Sequence, residues 1–154
     1  MLQILKANSE DAEAILALQR LAYQSEARLY NDWTLPALTQ TLASLQKEFN
    51  ESVVLKILQH DYLIGSVRAK LIDSICHIGR LIVAPHYQRQ GIGSSLLKAI
   101  EGECAHCEKY VLFTGSLSIA NIRLYQHHGY TITHQQVLSP TVELTFLEKP
   151  NQRT

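Results

Sequence analysis

The segment of residues 81–107 constrains the fold of this chain more than any other part of its sequence. It opens with the apolar run Leu-Ile-Val-Ala-Pro, continues through a polar loop that contains Gly91 and Gly93, and then shows apolar residues at helical spacing. The start of a helix has unpaired backbone N–H groups and a partial positive charge, which attract phosphate oxygens. Glycine lets the backbone come close to such an anion. The segment therefore predicts a strand, a glycine loop and a helix in succession, with a phosphorylated ligand at the loop.

Two common kinds of phosphate-binding loop do not match these residues. A Walker loop ends in Gly-Lys-Ser/Thr, whereas Gly93 is followed by Ser94, and the first lysine after it is Lys98. A dinucleotide-binding fingerprint requires a small residue three positions after Gly93, where this chain has Leu96. The alternative without a ligand is an ordinary strand-to-helix turn, in which the glycines only make the turn tight.

The length and charge of the chain exclude several classes of protein. It has 154 residues, of which 46% are apolar and 18% charged, and a formal net charge of +0. This length suits a single domain, which we predict over residues 2–149 with a tail over 150–154. A neutral chain lacks the basic face of a nucleic-acid-binding protein or a polybasic membrane binder. No apolar run approaches the ~20 residues of a membrane span, and the first residues do not resemble a signal peptide. We therefore predict a cytoplasmic protein with no nucleic-acid and no membrane partner.

The three cysteines are predicted to be free thiols. An odd number, Cys76, Cys104 and Cys107, fits a reducing compartment. Cys104 and Cys107 form a C-x-x-C pair, but no second pair follows at the spacing of a zinc site. Both are expected on the apolar stripe of the helix that begins at Gly91, as small buried hydrophobic residues. We therefore predict no metal site.

Hydrophobic periodicity and turn residues predict the element order β, α, α, β, β, β, α, β, α, β, β. The predicted strands cover residues 2–6, 52–59, 62–71, 75–84, 109–114, 130–137 and 141–148. The predicted helices run from about 8 to 25, 34 to 49, 91 to 107 and 118 to 128. This is an α/β (α+β) fold with a mixed, mostly antiparallel sheet of six to seven strands and about four helices on its faces. The crossover after the third meander strand should be right-handed.

This order and two motifs resemble the GNAT superfamily of N-acetyltransferases. The loop follows the family pattern Gln/Arg-x-x-Gly-x-Gly/Ala at Gln88, Gly91 and Gly93. A second family signature is an asparagine, a tyrosine four residues later and a Gly-aromatic pair, here Asn121, Tyr125, Gly129 and Tyr130. The resemblance spans the chain from residue 2 to about residue 149.

The resemblance implies acetyl-CoA as the cofactor. The backbone N–H groups of the loop would bind its pyrophosphate, and the strand before the loop would pair with the pantetheine arm. The residues implied in cofactor binding are Leu81, Ile82, Val83, Gln88, Arg89, Gln90, Gly91, Ile92, Gly93, Ser94 and Asn121. In this fold the third meander strand and the strand at 109–114 splay apart, and the thioester would lie in that gap.

The same resemblance implies catalytic roles for two residues. Tyr125 would protonate the departing thiolate, while a backbone N–H near Val83 would stabilise the oxyanion. Many family members carry a glutamate base six residues before the position of Val83, where this chain has His77. An imidazole with an unperturbed pKa of about 6.5 suits proton transfer. The alternatives are a packed aromatic at Tyr125 and a structural hydrogen bond at His77.

The acceptor is predicted only as a primary amine, of a small molecule or a peptide, that attacks directly in a ternary complex. The link between the first two helices usually forms one wall of the acceptor pocket, where Glu26 or Tyr30 could bind the charge of the amine; a solvated helix end is the alternative. Homodimers are common in the family, and no residue here establishes one. Two other functions stay open: a CoA-binding sensor without turnover, and a nucleotide-binding α/β protein that ATP or NAD would stabilise.

Overall fold

The computed structural model describes residues 2–152, which form one mixed sheet with helices on its faces. The strands within this range are β1 (Leu2–Lys6), β2 (Val53–Gln59), β3 (Tyr62–Ile72), β4 (Ile75–Val83), β5 (Lys109–Gly115), β6 (Thr131–Ser139) and β7 (Val142–Pro150). The helices are α1 (Ala12–Ala22), α2 (Gln24–Tyr30), α3 (Pro36–Thr39), α4 (Leu42–Glu48), α5 (Ile92–Glu103) and α6 (Ile119–His127). Single 3-10 turns precede α1 and α5, at Ser9–Asp11 and Pro85–Tyr87.

The sheet confirms the predicted fold class. Its seven strands lie in the order β1-β2-β3-β4-β5-β7-β6. All neighbours are antiparallel except β4 and β5, which the helix α5 connects as a parallel crossover. The hairpin between β2 and β3 turns at His60 and Asp61, as predicted, and both residues have positive φ (51° and 68°), typical of a tight hairpin turn.

The two faces of the sheet carry separate apolar clusters. Val54 packs in a cluster with residues of α1 and α4, whereas its neighbour Leu55 packs in the larger cluster with α5. Successive residues of a strand point to opposite faces, so α1 and α4 cover one face and α5 the other. The predicted apolar stripe of α5 is fully buried at Ile92, Leu96, Leu97 and Ile100.

The parallel pairing of β4 with β5 is short. It comprises Ile75 with Lys109, Cys76 with Tyr110, and His77 with Val111. Beyond these three pairs β4 continues against β3 only and β5 against β7 only, as far as residues 83 and 115 respectively. The expected splay is therefore present, and it opens a gap between the two strands.

A β-bulge lies in β4 beside this gap. Ser66 of β3 pairs with Ile82, and Arg68 pairs with Gly79, so two residues of β4 lie opposite one residue of β3. One of the two is Arg80, which has a φ of 51°. A bulge increases the local twist and turns side chains, so it determines which β4 residues line the gap.

The first two predicted helices are each broken into two, so residues 2–152 contain six α-helices where four segments were predicted. Asn8 caps the 3-10 turn before α1, since its side chain accepts a hydrogen bond from the Glu10 N–H at 2.9 Å. The helix α1 ends at Ala22, and α2 begins only after Tyr23. The predicted second helix is interrupted at Gln40, whose ψ is 135°. Sequence periodicity missed both breaks because each flanking segment keeps its apolar spacing.

A buried polar network explains the second break. Gln19 is 0% exposed, and it donates to the Ala37 carbonyl at 2.8 Å and to Gln40 Oε1 at 2.9 Å. Arg68, which is 5% exposed, donates to Gln19 Oε1 at 3.1 Å and forms a salt bridge with Glu48 at 3.3 Å. Burial lowers the pKa of Arg68 to about 10, so the guanidinium stays charged at neutral pH. Gln40 leaves the helical path to complete this network between α1, α4 and β3.

Among the described residues the three cysteines form no disulfide, but Cys107 does not lie on α5 as predicted. The helix ends at Glu103, and Cys107 is buried in the loop before β5. Among the described residues, no group of three His, Cys, Asp or Glu side chains is arranged to hold a metal ion. Within residues 2–152, no helix has both the length and the apolarity to cross a bilayer.

Candidate active site

Two clefts meet beside the gap between β4 and β5. The strand cleft, of ≈ 200 Å³, lies in the gap itself and is lined by Tyr23, Glu26, Tyr30, Leu35, Pro36, Ala37, Ile78, Gly79, Arg80, Leu81, Phe113, Thr114, Gly115, Ser118, Asn121, Tyr125, Leu138, Val142 and Leu144. The loop cleft, of ≈ 430 Å³, is lined by Ala22, Tyr23, Ser25, Glu26, Leu81, Ile82, Val83, Tyr87, Gln88, Arg89, Gly91, Gly93, Ser94, Ala120, Asn121 and Leu124. Tyr23, Glu26, Leu81 and Asn121 line both, so a ligand in one cleft can reach a ligand in the other.

The glycine loop presents a row of free backbone donors to the loop cleft. Within residues 2–152, no protein acceptor pairs with any backbone N–H from residue 88 to residue 94. Arg89 and Gly91 have positive φ, 64° and 80°, and the side-chain amide of Gln88 donates to the Val83 carbonyl at 3.1 Å. These features fold the loop over the N-terminus of α5, where the helix dipole adds positive potential. The loop is therefore built to bind an anion.

Most of the residues predicted to bind the cofactor line the loop cleft. They are Leu81, Ile82, Val83, Gln88, Arg89, Gly91, Gly93, Ser94 and Asn121. The side chain of Ile92 is instead buried in the core, 3% exposed, and that of Gln90 is exposed and donates to the His86 carbonyl at 3.4 Å. The backbone N–H groups of these last two residues remain available to a ligand at the loop.

His128 is a neighbour of the loop that the sequence pattern did not indicate. Its Nε2 lies 2.9 Å from the hydroxyl of Ser94, in the first turn of α5. Burial lowers the pKa of His128, an effect that Glu101 opposes in part. The neutral imidazole therefore holds Ser94 at the start of the helix.

Tyr125 lies at the inner wall of the strand cleft. It is 7% exposed and stands one turn after Asn121 on α6. Within residues 2–152 its hydroxyl has no hydrogen-bond partner. Burial raises the pKa of Tyr125 above its ordinary value, and the nearby Tyr23 and Glu26 raise it further. Tyr125 therefore keeps its proton at neutral pH and can donate it to a group in the cleft.

Asn121 stands where the two clefts join. Its side-chain amide donates to the Thr114 hydroxyl of β5 at 3.3 Å. This bond ties α6 to β5 on the side of the gap opposite β4. The amide oxygen of Asn121 remains available to a ligand that passes from one cleft to the other.

Glu26 and Tyr30 share one hydrogen-bond network in the strand cleft. The Tyr30 hydroxyl lies 2.8 Å from Ser118 Oγ and accepts from the Leu117 N–H at 3.0 Å. Ser118 Oγ donates to Glu26 Oε2 at 2.7 Å, which orients the carboxylate. Burial raises the pKa of Tyr30, so its phenol stays neutral. Both residues line the cleft, but Tyr30 is occupied by its structural partners, whereas one carboxylate oxygen of Glu26 accepts no hydrogen bond from a described residue.

His77 lies outside the strand cleft. It is exposed and forms the last parallel pair of β4 with β5, just before the strands separate. The β4 residues that line the cleft are Ile78, Gly79, Arg80 and Leu81. The geometry therefore gives no support to a base role for His77.

Tyr23 and Arg80 are among the cleft residues that the sequence analysis did not predict. The guanidinium of Arg80 lies over the ring of Tyr23, 5.9 Å from its centroid. Tyr23 reaches this position because it stands at the break between α1 and α2, and Arg80 because it stands in the bulge of β4. Neither irregularity leaves a signal in the sequence pattern.

Solved structures with a similar fold include acetyltransferases. The chain is similar to the ribosomal-protein-S18-alanine N-acetyltransferase from Escherichia coli (TM-score 0.83, 15% identity, 100% of this chain and 96% of that chain covered). It is also similar to the PaiA N-acetyltransferase from Thermoplasma acidophilum, solved in complex with coenzyme A (TM-score 0.81, 18% identity, 97% and 99% covered). A third is YncA, a putative acetyltransferase from Salmonella typhimurium solved with acetyl-CoA (TM-score 0.78, 18% identity, 100% and 96% covered).

The sequence itself gives the family. A comparison with curated proteins found no significant match. The model of the acetyltransferase (GNAT) family, however, matches residues 13–130. This range contains the glycine loop, Tyr125, and the parts of β4 and α6 that line the two clefts. This match covers most of the chain and agrees with the similarity in fold. The chain belongs to the GNAT family of acetyltransferases.

Proposed function

We propose that this protein transfers the acetyl group of acetyl-CoA to the primary amine of an acceptor bound in the strand cleft. The observation that carries this proposal is the junction of the two clefts at Tyr23, Glu26, Leu81 and Asn121. A donor bound along the loop cleft and an amine in the strand cleft would meet at this junction. Membership of an acetyltransferase family and neighbours solved with coenzyme A or acetyl-CoA support the same assignment.

The residues of the loop cleft fit the chemistry of coenzyme A. The unpaired N–H groups of residues 88–94 would bind the pyrophosphate. The exposed edge of β4 at residues 81–83 would pair with the amides of the pantetheine arm, and Asn121 would bond the arm from α6. When bound, acetyl-CoA supplies an activated thioester whose carbonyl an amine can attack. The loop would hold the pyrophosphate of acetyl-CoA, and the thioester would lie at the junction of the two clefts.

Tyr125 is proposed as the acid. In the transfer, a bond forms between the acceptor nitrogen and the acetyl carbonyl carbon, and the bond from that carbon to sulfur breaks. The departing sulfur carries negative charge, which the buried phenol neutralises by donating its proton. Burial and the nearby Tyr23 and Glu26 raise the pKa of Tyr125, so the phenol retains that proton until sulfur departs. Its hydroxyl is free for this role because no described residue accepts from it.

Glu26 is proposed as the group that receives the proton of the amine. A primary ammonium with a pKa near ~10 is about one part in a thousand neutral at pH 7, so a nearby acceptor raises the attacking fraction. Among the described lining residues of the strand cleft, Glu26 is the one carboxylate. The bond from Ser118 engages one of its oxygens, and no described residue donates a hydrogen bond to the other. Comparing the turnover of Glu26→Gln with that of His77→Gln tests this proposal together with the prediction that His77 is the base.

The proposal is tested by ligand-dependent stability and by turnover. Coenzyme A and acetyl-CoA should raise the melting temperature of the protein, whereas ATP and NAD should not. A panel of primary amines with acetyl-CoA should release free thiol with at least one member. Replacing Gly91 by valine should remove the stabilisation by coenzyme A, because a β-branched residue is strained at a φ of 80°, while Gly102→Ala on the same helix should keep it.

Each outcome of this test decides between functions. Stabilisation by coenzyme A together with thiol release supports the acetyltransferase. Stabilisation without release by any amine would favour the CoA-binding sensor. Protection by ATP or NAD, with none by coenzyme A, would favour a nucleotide-binding protein and contradict the proposal.

A further inference from the structure

The guanidinium of Arg80 lacks a partner in a place where a charged group needs one. Arg80 is half-buried in the wall of the strand cleft, and its Nε is fully buried with no hydrogen-bond acceptor. Within residues 2–152, no carboxylate lies within ion-pair distance of its side chain, and its recorded contact is the ring of Tyr23 at 5.9 Å. Buried charged groups are nearly always paired in folded proteins. An unpaired guanidinium in a cleft wall therefore indicates an anionic ligand.

The fold holds Arg80 in this position. Its φ of 51° belongs to the bulge of β4, and residues on both sides of it pair with β3. A non-glycine residue in this backbone region is uncommon, so the surrounding sheet must hold it there. Arg68, whose pKa Arg80 helps to lower, donates to Gln19, Gln40 and Glu48 and offers Arg80 no acceptor. No carboxylate of the described residues neutralises Arg80.

A negative charge stands in the same cleft without being paired to Arg80. Glu26 is the one carboxylate and Arg80 the one cationic side chain among the described lining residues. No salt bridge joins them, since their charged atoms are more than 4.0 Å apart. A cleft of ≈ 200 Å³ thus carries one unneutralised charge of each sign. A small ligand with both an ammonium and a carboxylate would satisfy both.

We propose that the acceptor is a free α-amino acid, with its carboxylate bound to Arg80 and its amino group beside Glu26. This inference rests on the proposed acetyl transfer and names its acceptor class. Arginine binds carboxylates through two parallel hydrogen bonds, which orients as well as attracts the ligand. The rest of the lining is mainly apolar and includes Leu35, Phe113, Val142 and Leu144, so the side chain of the amino acid is apolar.

The size of the cleft agrees with this class. The cleft, of ≈ 200 Å³, is smaller than the about 300–1,000 Å³ that is typical of pockets for larger small molecules, which agrees with an acceptor as small as an amino acid. A peptide N-terminus has an amide where a free amino acid has its carboxylate, and a polyamine has a second cation. A peptide N-terminus would therefore leave Arg80 unpaired, and a polyamine would be repelled by it. Both would bind with lower affinity than a free amino acid.

Binding without turnover provides the first test. The protein, saturated with coenzyme A, is heated with leucine, methionine or phenylalanine and, separately, with the carboxamide of each. The free acids should raise the melting temperature at concentrations where the carboxamides do not. The N-acetyl derivatives of the acids, the products of the transfer, should behave like the acids.

Kinetics with matched variants provide the second test. With wild-type protein, kcat/KM for the best amino acid should exceed that for its carboxamide by about a hundredfold. Arg80→Gln should reduce this ratio to near one, chiefly by raising KM for the acid, while KM for acetyl-CoA stays the same. Arg80→Lys should keep part of the ratio. Arg28→Gln removes the same charge from the exposed face of α2 and should leave the ratio at its wild-type value.

The outcomes separate this inference from the proposed function. If carboxamides or simple alkylamines equal the acids, or if Arg80→Gln weakens all amines alike, the acceptor class is wrong while acetyl transfer stands. If no amine releases thiol, acetyl transfer fails, and the melting curves of wild-type and Arg80→Gln protein with the free acids still decide whether Arg80 binds carboxylates. Circular dichroism of both Arg80 variants excludes misfolding as the cause.

Discussion

The side chain of Tyr30 occupies the space that a Cβ atom on Gly115 would need. The tyrosine is the last residue of α2 and the glycine is the last residue of β5, so this contact joins the helix to the strand at the mouth of the strand cleft. It lets the Tyr30 hydroxyl reach Ser118 and the Leu117 N–H. The hydrogen-bond network that orients Glu26 therefore requires glycine at position 115.

Replacing Gly115 by alanine should destabilise the fold. Tyr30 would have to leave its position, and its buried hydroxyl would lose both partners, at a cost of about 2–4 kcal/mol in the free energy of unfolding. The measurement is urea denaturation. Gly102→Ala is the control, because nothing lies within 4 Å of a Cβ there and alanine favours the helix by about 0.5–1 kcal/mol. Equal stability of the two variants would contradict the steric role of Gly115.

Replacing Tyr125 by phenylalanine should lower kcat for acetyl transfer about 10²- to 10³-fold, because the departing sulfur loses its proton donor. The dissociation constant of coenzyme A should change little, since the hydroxyl contacts the reacting end alone. Tyr62→Phe removes the same atom at a position that is 73% exposed and should be neutral. A kcat within threefold of wild-type would leave Tyr125 as a packing residue.

The raised pKa of Tyr125 predicts the shape of the pH profile of kcat. An acid catalyst must be protonated, and burial raises the pKa of this phenol above its ordinary value of 10.0. The rate should therefore rise with pH as the amine loses its proton, and it should not fall below about pH 10. A fall in kcat between pH 8 and pH 9.5 with a folded enzyme would show that a different group supplies the proton.

His128 should make stability depend on pH. Burial lowers its pKa in the folded protein below its ordinary value of 6.5, so the unfolded chain binds a proton more readily. The stabilisation is therefore fully present above pH ~6.5 and is lost as the pH falls through the folded-state pKa. Between pH 7.5 and pH 5 the wild-type protein should lose more stability than His128→Gln, in thermal unfolding. His60→Asn, in the exposed β2–β3 turn, should follow the wild-type slope.

Replacing Arg68 by methionine should destabilise the protein by about 2–3 kcal/mol. The change leaves the buried Gln19 oxygen unpaired and removes the partner of Glu48. Glu48 is partly exposed, which keeps the loss below that of a fully buried pair. Arg28→Met, on an exposed helix face, should change stability by less than about 0.5 kcal/mol. A loss below 1 kcal/mol for Arg68→Met would show that the network contributes little.

Features of the site that depend on local sequence could be predicted. Free N–H groups follow from any helix start, so the loop from Gln88 to Ser94 was recognisable from its glycines and from the helix after it. Asn121 and Tyr125 are four residues apart and therefore share one face of α6. Both rules act within one or two turns of the chain.

Features that depend on strand register could not be predicted. Arg80 lines the cleft because of the bulge between residues 79 and 82, which is a property of the pairing of β4 with β3. The same pairing leaves His77 outside the cleft, although family spacing favours it as the base. The position of Tyr23 depends on the break between α1 and α2. The sequence does not reveal this break, because the apolar spacing continues across it. Tertiary contacts decide each of these positions.

Because β4 and β5 separate after three residue pairs, the strand cleft and the anion loop lie in different parts of the molecule. Apart from the bulge, β4 stays paired with β3, and β5 stays paired with β7, so the opening needs no side chain to hold it apart. Half-exposed residues of the cleft lining, such as Phe113 and Leu138, can therefore be exchanged with little loss of stability, while the anion loop before α5 is untouched. A lineage that starts from this architecture can acquire new acceptors by a few substitutions and retain the same donor throughout.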